Sequence, residues 1–476
     1  MNGSFRFARF HDQFLLTNDA GRFAFLPPED FFRFVHHQLP HDSETWLRLQ
    51  ENFFCYDTDR EVYLRSVMAA VRENHAHLFS PTSLFILAVT NRCNNACVYC
   101  QANGGAKCAD LDIPTARKII DRIAASPAKH LTIEFQGGEP LMNFPILQEV
   151  IRYSREKLNG KDVSFALVSN LSLVTEEVAD WIAENNISVS TSLDGPKFLH
   201  DLQRPRKDRD SSYEAMLRGL ARLRVRNRSV GAIQTTTRAA LPYAREIVET
   251  YASLGFQSVF LRPLTCLGAA KRRWNEIGYT PEEFLAFYRE GLQAVFELNQ
   301  QGTFFLENHA AIFASKLFCN GGQNYMELRS PCGAALGQLA FTASGNVYTC
   351  DEGRMMAEMG DDAFKLGNVF ENGYDEWLNS NICKAVCSAS LLETLPGCCD
   401  CVYQPYCGVC PVVHYAQTGL LHCNPLHSER CKIYHGMLDT LFEGKIALCD
   451  AGVGIGKTHA YLAACLLWQR FRPVHL

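Results

Sequence analysis

The chain has 476 residues, enough for two to four domains with substantial hydrophobic cores. Its 46 basic and 51 acidic side chains nearly balance, which argues against nucleic acid or an anionic membrane surface as the main partner. The N-terminus lacks secretory signal character and no apolar run could cross a bilayer, so we expect a cytoplasmic protein. In a reducing cytosol the 20 cysteines, twelve of them between Cys319 and Cys431, indicate metal or cluster ligands rather than disulfides.

The sequence pattern of residues 1–80 predicts a separate small α+β module. Alternating apolar and polar residues predict three strands, and three helix starts follow them; the strands are 5–10, 14–17 and 22–26, and the helix starts are Pro28, Ser43 and 57–60. This order of elements resembles the winged-helix module with which ribosomal-peptide maturation enzymes recognise their precursors. The resemblance implies that a leader peptide adds a strand to the open sheet edge. The alternative is a simple packing extension.

Strand-like and helix-like segments alternate from 83 to 265, which is typical of a parallel α/β architecture. The predicted strands are 84–89, 130–135, 163–168, 187–193, 229–235 and 259–264. The predicted helices between them are 115–125, 145–158, 174–185, 213–226 and 241–254. A bridging helical region is expected over 266–318, and a cysteine-rich domain over 319–443.

Three cysteines with the spacing CxxxCxxC follow the first predicted strand: Cys93, Cys97 and Cys100. Three thiolates this close can hold three corners of a cubane iron–sulfur cluster and leave the fourth iron without a protein ligand. Their loop lies at the C-terminal end of a strand, where α/β barrels build their active sites. From the residues alone, the alternatives are a partial zinc site or three unrelated buried thiols.

With Tyr99 directly before the third cysteine, this motif resembles that of the radical S-adenosylmethionine (SAM) superfamily. The resemblance implies a partial (β/α)6 TIM-like barrel and a [4Fe–4S] cluster whose open iron binds SAM. It also implies the reaction: one electron cleaves SAM to methionine and a 5′-deoxyadenosyl radical, which abstracts hydrogen from a substrate. The cofactors supply this reactivity, and the protein positions and shields it.

Two further motifs resemble SAM-binding elements of this superfamily. The run Gly137, Gly138, Glu139 and Pro140 follows the second strand and resembles the motif that binds the methionyl amino group. Alternation along the fourth strand puts Ser190, Ser192 and Asp194 on one side, where they would meet the ribose and carboxylate of SAM. Polar capping of the strand end is the alternative for that second run.

Several other residues are candidates for the same pocket. Tyr99 could pack on the adenine, and Asn170 ends the third strand within reach of the pocket. Leu261 and Arg262 on the sixth strand are candidates for the adenine region. The basic stretch 204–209 is expected to be a solvated loop after the fourth strand.

The second group of cysteines resembles the SPASM extension, which holds two auxiliary [4Fe–4S] clusters in peptide-modifying radical SAM enzymes. The resemblance assigns one cluster to Cys398, Cys401, Cys407 and Cys431. It assigns the other to Cys332, Cys350 and Cys410, with either Cys319 or an open iron in the fourth position. The interval from Cys407 to Cys410 is one residue shorter than that family's usual CxxxC. Zinc is the competing interpretation.

The last segment, 444–476, contains the run from Ala447 to Thr458, which fits the pattern [AG]xxxxGK[ST] of a phosphate-binding loop. It looks like the opening of a DinG-type helicase. No second strand follows to carry a magnesium-binding acid, so we expect a truncated tail without nucleotide hydrolysis.

The combined motifs, which span about 83–435, predict an enzyme of the SPASM-type radical SAM peptide maturases. General similarity is greatest to the maturases of His-Xaa-Ser repeat systems. This implies a ribosomally made precursor peptide as substrate, a second radical SAM maturase as partner, and an electron donor such as flavodoxin or ferredoxin. One alternative is a thioether-forming or a formylglycine-generating, sulfatase-type maturase. The other is a zinc-stabilised peptide-binding protein without catalytic activity.

Overall fold

The structure, a computed structural model, describes residues 1–57, 59–102, 109–319, 326–422, 424 and 428–443. The predicted phosphate-loop tail at 444–476 lies outside these residues. Within the described ranges, none of the helices combines the length and apolar character that a bilayer span requires.

The N-terminal residues form an antiparallel three-stranded sheet followed by three helices, as predicted. The strands are β1 (Arg6–Phe10), β2 (Gln13–Thr17) and β3 (Phe23–Leu26), in that order across the sheet. The helices are α1 (Pro28–Val35), α2 (Glu44–Glu51) and α3 (Arg60–Asn74). The side chains of Ser43 and Asp59 cap α2 and α3 by accepting backbone N–H groups. These elements bury their own core, centred on Phe31, Phe34 and Trp46.

Six parallel strands form the centre of the molecule, which confirms the predicted α/β barrel architecture. They are β4 (Leu84–Thr90), β5 (His130–Gly137), β6 (Asp162–Val168), β7 (Ser188–Ser192), β8 (Val230–Thr235) and β10 (Leu261–Arg262). The sixth predicted strand is split, because β9 (Ser258–Val259) pairs with β11 (Leu306–Glu307) instead of the main sheet. The Glu307 carboxylate accepts the Leu261 N–H at 3.1 Å, just where the two short strands separate.

Helices alternate with these strands and pack their apolar faces on the sheet. They are α4 (Ile113–Ile123), α5 (Phe144–Lys157), α6 (Glu176–Glu184), α7 (Lys197–Gln203), α8 (Ser212–Val225) and α9 (Ala244–Ser253). Helix α7 was not predicted. Ile119, Leu147, Ile182 and Val248 are among the residues that join the helices to the central core. The bridging region contains α10 (Gly268–Arg272), α11 (Trp274–Ile277), α12 (Pro281–Gln300) and α13 (Asn308–Phe318).

The cysteine-rich region continues the barrel's own sheet. Strand β12 (Gln338–Phe341) pairs parallel to β4, and β13 (Asn346–Tyr348) and β14 (Lys365–Asn368) extend the sheet antiparallel beyond it. The helices of this region are α14 (Asp351–Glu358), α15 (Tyr374–Leu378), α16 (Asn381–Ser388), α17 (Pro411–Thr418) and α18 (Glu429–Phe442). A nine-stranded sheet therefore joins the two regions that carry the cysteine motifs.

Candidate active site

The CxxxCxxC loop leaves the C-terminal end of β4, as predicted. Burial raises the pKa of the Cys93 thiol to about 11. Burial, together with the nearby Cys100 and Cys93 thiols, raises that of Cys97 to about 12. The Asn95 N–H points at the Cys93 sulfur from 3.4 Å. The three cysteines lie on one loop at this end of the sheet, and their joint binding of a cluster stays a prediction; taking up a cluster there would release protons.

The two glycines at the end of β5 bring two strand ends into backbone contact. The Gly138 N–H donates to the Thr90 carbonyl at 2.8 Å, and the Glu139 N–H donates to the Arg92 carbonyl at 2.8 Å. A Cβ on Gly138 would lie 2.2 Å from the Arg92 oxygen, and one on Gly137 would lie 2.2 Å from the Thr90 oxygen. Only glycine permits this approach. The pair thus fixes the cysteine loop against the end of β5.

The Glu139 carboxylate is fully buried below this contact. It accepts hydrogen bonds from the Ser169 hydroxyl at 2.8 Å, the Asn170 N–H at 2.8 Å and the Leu141 N–H at 3.1 Å. Burial nevertheless raises its pKa from 4.5 to about 6. Glu139 therefore connects the ends of β5 and β6, and Pro140 begins the short 3-10 turn that follows. Contact of these residues with SAM stays a prediction.

Asn170 ties the cysteine loop to the end of β6. Its side-chain N–H donates to the Asn94 side-chain oxygen at 2.9 Å, and Asn94 in turn donates to the Ser172 hydroxyl at 2.7 Å. The Ser172 hydroxyl donates to Asn170 at 2.6 Å and closes the ring. Sequence reasoning missed Asn94 and Ser172, because the bonds between them become visible only when both loops are placed.

The Asp194 carboxylate joins several elements of the site. Its carboxylate is completely buried and accepts hydrogen bonds from the Tyr99 hydroxyl at 2.6 Å and from the Arg204 guanidinium at 2.8 Å and 3.3 Å. The Thr235 N–H also donates to it, at 3.2 Å. Both oxygens are thus bonded to protein groups, so Asp194 holds the site together, and its contact with SAM stays a prediction.

The prediction of a solvated basic loop over 204–209 is wrong for its first residue. Arg204 is buried, and its guanidinium lies over the Tyr99 ring, 5.1 Å from the ring centroid. The remaining residues of the run are exposed or half-buried. The signal available in the sequence was an acidic residue, Asp194, ten positions before the arginine.

The other predicted pocket residues divide into two groups. Ser190 and Ser192 are half-buried and share one side of β7, as the alternation predicted, so their hydroxyls remain candidates for SAM contact. Leu261 and Arg262 need correction. Leu261 is in the core, and the Arg262 guanidinium donates to the Glu327 carboxylate at 2.7 Å rather than facing an adenine pocket.

One set of C-terminal cysteines gathers as the sequence predicted. A single cavity is lined by the sulfur-bearing residues of the first predicted auxiliary site, which are Cys398, Cys401, Cys407 and Cys431. The His435 ring nitrogen lies 3.4 Å from the Cys401 sulfur. Burial raises the pKa of all four thiols, that of Cys398 to about 12 and that of Cys431 to about 11. This chemistry suits an iron–sulfur cluster bound by four cysteines.

The second set is also brought together. Cys332, Cys350 and Cys410 are buried in one small cluster of side chains between α14 and α17. The Cys350 sulfur accepts the Gly353 N–H and so caps α14, whereas Cys410 directly precedes α17 without a side-chain cap bond. Cys319 directly follows α13, and its assignment as a fourth ligand stays a prediction. Among the described residues, no three Cys, His, Asp or Glu side chains are placed to hold a single metal ion.

Comparison with known proteins agrees with this geometry. Residues 87–243 match the family model of the radical SAM superfamily. This segment is a radical SAM domain. The match spans β4 to the start of α9 and contains the cysteine loop, the Gly-Gly-Glu turn and the end of β7. The prediction of an enzyme domain is therefore confirmed, as are the [4Fe–4S] cluster and SAM as the cofactors of this family.

Two relatives are similar in sequence to different shares of this chain. An uncharacterized protein of Methanocaldococcus jannaschii is 34% identical over 174 residues, 37% of this chain and 60% of that protein. A cysteine-type anaerobic sulfatase-maturating enzyme of Clostridium novyi is 24% identical over 339 residues, 68% of this chain and 86% of that enzyme.

Two solved structures share the fold. The anaerobic sulfatase-maturating enzyme anSMEcpe with bound AdoMet superposes with a TM-score of 0.67 at 18% identity, over 76% of this chain and 97% of that one. Streptococcus suis SuiB bound to its precursor peptide SuiA superposes with a TM-score of 0.53 at 14% identity, over 88% and 97% of the two chains. The shared fold thus covers more of the chain than residues 87–243.

Proposed function

We propose that this protein is a peptide maturase that uses its radical SAM domain to abstract hydrogen from a ribosomally made precursor peptide. The observation that carries the proposal is the placement of three cysteines at the end of β4, on the sheet that continues into β12 and β13, beside which Cys332 and Cys350 lie. The relatives support it, because one is a sulfatase-maturating enzyme and one structural neighbour holds its precursor peptide.

The residues of this chain have distinct roles in the proposal. Cys93, Cys97 and Cys100 would hold the cluster and leave one iron open for SAM, with Gly137 to Pro140, Ser190 and Ser192 as the predicted SAM contacts. When bound, the cluster and SAM supply a 5′-deoxyadenosyl radical as the hydrogen acceptor. Glu139 and Asn170 keep the cysteine loop in position, and the buried strand ends exclude water from the site.

The C-terminal cysteines would hold two auxiliary [4Fe–4S] clusters. Cys398, Cys401, Cys407 and Cys431 would hold one, and Cys332, Cys350 and Cys410 the other, with Cys319 or an open iron completing it. Electron transfer, or closure over the bound peptide, is the expected task of both clusters. A flavodoxin or ferredoxin in the cytoplasm is the proposed electron donor.

The N-terminal residues 1–80 are the proposed recognition module for the leader of the precursor. Strand β1 forms one edge of the three-stranded sheet, and an extended peptide could pair with its outer side. Phe7, half of whose surface is exposed, lies on this strand and offers an apolar contact for the peptide. A His-Xaa-Ser repeat peptide is the proposed substrate, together with a second radical SAM maturase as partner.

A sulfatase-type maturase is the second candidate function. The similarity to the Clostridium novyi enzyme covers 68% of this chain, and the anSMEcpe structure superposes on 76% of it. A formylglycine product would place an aldehyde on a serine or cysteine, whereas a crosslink, such as a thioether, removes two hydrogens. The mass of the modified peptide separates a crosslink from formylglycine made from cysteine. Formylglycine made from serine has also lost two hydrogens, so the reaction of its aldehyde with a hydrazine identifies it.

Anaerobic incubation of the reconstituted protein with SAM and dithionite tests the proposal. We expect 5′-deoxyadenosine to form, and chromatography with mass spectrometry detects it. A candidate peptide added to the same reaction should change in mass only when SAM is present. Protein loaded with iron and sulfide that forms no 5′-deoxyadenosine would contradict the proposal, and zinc without sulfide would support a non-catalytic binding protein.

A further inference from the structure

The segment that ends α7 and follows it lies along the cysteine loop and pairs with it through the backbone. The Ala96 N–H donates to the Pro205 carbonyl at 2.7 Å, and the Val98 N–H donates to the Gln203 carbonyl at 2.9 Å. The Lys207 N–H donates in return to the Asn94 carbonyl at 3.0 Å. Segment 203–207 is therefore fixed beside segment 94–98, although the two are more than 100 residues apart in the chain.

This pairing places a positive charge next to a predicted cluster ligand. The Arg204 side chain points inward, and its Nη1 lies 4.0 Å from the Cys97 sulfur. The guanidinium also forms a two-pronged ion pair with Asp194 and covers the Tyr99 ring. Arg204 thus contacts the second cysteine of the loop, the residue before the third, and the end of β7 simultaneously.

The buried charges need an explanation other than stability. A buried ion pair loses much of its Coulomb attraction to desolvation, and apolar residues of similar volume are often at least as stabilising. Hydrogen bonds from the Tyr99 hydroxyl and the Thr235 N–H stabilise the Asp194 carboxylate in the position from which it holds Arg204. The guanidinium is thereby kept with its Nη1 toward the Cys97 sulfur.

We propose that Arg204, positioned by Asp194 and Tyr99, raises the reduction potential of the cluster held by Cys93, Cys97 and Cys100. The inference rests on the proposed function, since it requires a cluster on these cysteines. Reduction adds one electron to the cluster, and a nearby positive charge stabilises the more negative reduced state. Arg204 is therefore a positioning and electrostatic residue rather than one that contacts substrate.

The proposal predicts opposite effects for the two members of the ion pair. Arg204→Gln removes the positive charge, so the cluster should become harder to reduce. Asp194→Asn removes the opposing negative charge, so the cluster should become easier to reduce. A merely structural role predicts the same direction for both changes, because either substitution breaks the same contact.

The test is a redox titration of the reconstituted protein with dithionite as the one-electron donor. Electron paramagnetic resonance measures the reduced cluster at each potential. Addition of SAM identifies the signal of the open-site cluster, and a Cys93→Ala, Cys97→Ala, Cys100→Ala variant supplies the auxiliary-cluster background. At a fixed ambient potential, the ratio of reduced to oxidised cluster should fall about tenfold in Arg204→Gln, a shift of ~59 mV. It should rise in Asp194→Asn, and Tyr99→Phe should change it less than either.

Two control variants sharpen the result. Arg206 lies on the same loop, but its guanidinium bonds with Asp208, so Arg206→Gln should leave the potential unchanged. Arg204→Lys keeps the charge and should retain most of the potential. Equal shifts in Arg204→Gln and Arg206→Gln, or shifts of the same sign in Arg204→Gln and Asp194→Asn, would overturn the inference. If Arg204→Gln fails to load a cluster, the direction of the potential shift in Asp194→Asn is the test: a higher potential supports the inference, and a lower or unchanged potential overturns it.

Failure of this inference is distinguishable from failure of the proposed function. An unmodified protein without any SAM-sensitive signal would overturn the proposed function and the inference with it. A SAM-sensitive signal whose reduction potential is the same in Arg204→Gln as in the unmodified protein would overturn only the inference. Formation of 5′-deoxyadenosine by the unmodified protein would then still support the proposed function.

Discussion

The two cysteine sites of this molecule are held in place in different ways. The loop of the barrel is fixed by protein groups: the Gly138 and Glu139 backbone, the Asn170 side chain and the Arg204 ion pair all bind it to neighbouring strand ends. The C-terminal cysteines from Cys398 to Cys410 lie in a segment whose only regular element is the 3-10 turn Gln404–Tyr406.

The N-terminal module supports this second segment from outside. The Thr17 hydroxyl donates to the Val402 carbonyl at 2.8 Å, and the Arg6 guanidinium donates to the Cys399 carbonyl at 2.6 Å. The Tyr406 hydroxyl returns a hydrogen bond to the Gly21 carbonyl at 3.1 Å. We infer that the barrel site is organised by the polypeptide, whereas the C-terminal site depends on its clusters and on residues 1–80.

The largest expected effect comes from removing one cysteine at each site. Cys97→Ala should abolish 5′-deoxyadenosine formation, because the cluster that binds SAM loses one of three ligands. Cys398→Ala should retain some cleavage of SAM but block turnover of the peptide. Chromatography of 5′-deoxyadenosine and of the modified peptide checks this. Equal residual SAM cleavage in the two variants would contradict the different roles proposed for the two cysteine sites.

A glycine substitution tests how tightly the barrel loop is held. Gly138→Ala places a Cβ 2.2 Å from the Arg92 carbonyl oxygen, so the loop must shift. We expect about four of roughly twelve irons to be lost on reconstitution, with the auxiliary sites still loaded. Gly231→Ala is the matched control, because its Cβ would meet nothing closer than 3.9 Å. Full iron content in Gly138→Ala would argue against the contact.

Metal removal compares the two sites directly. After anaerobic chelation of iron, peptides covering 390–410 should lose most of their protection in hydrogen exchange, since their backbone hydrogen bonds are those of local turns and belong to no strand ladder or long helix. Peptides of β4 and β5 should keep theirs, because these strands pair along their lengths. Equal loss of protection in both regions would show that the barrel also depends on its cluster.

The smallest effect concerns pH and the buried Glu139. Its pKa is raised from 4.5 to about 6 in the folded protein, so the stability it contributes is present below pH 4.5 and is lost as the pH rises through about 6. The loss is about 2 kcal/mol. Glu139→Gln should remove this part of the pH dependence of unfolding by urea, measured on the metal-free protein.

Glu149 provides the control for that measurement. Arg152 and Arg117 lower its pKa to about 2, so it stays ionised over the same range. Glu149→Gln should therefore leave the slope between pH 4.5 and 6 unchanged. The interpretation of Glu139 would be wrong if both variants kept the slope of the unmodified protein.

The sequence predicted the regular elements well, since periodicity and capping act over short distances. Strands β4 to β8 and the caps at Ser43 and Asp59 follow from such local patterns. The contact between Tyr99 and Asp194 joins residues 95 positions apart, so only the folded chain reveals it. The run from Arg204 to Arg209 looked uniformly hydrophilic, and burial of its first member depends on that same contact.

Pairing between strands that are distant in the chain could not be predicted from the sequence either. Strand β12 joins the edge of β4 although some 250 residues separate them, and no local pattern selects that partner. The three cysteines of the barrel loop were recognisable because their spacing itself carries the chemistry. The residues that hold the loop, such as Asn94 and Ser172, have no such spacing.

The central claim is that Cys93, Cys97 and Cys100 hold a cluster with one iron open to SAM. Electron–nuclear double resonance on the reduced protein, with SAM labelled by nitrogen-15 in its amino group and oxygen-17 in its carboxylate, tests it most directly. We predict hyperfine coupling from both labels to the cluster, lost in Cys97→Ala. A fully loaded protein that binds labelled SAM without either coupling would contradict the claim.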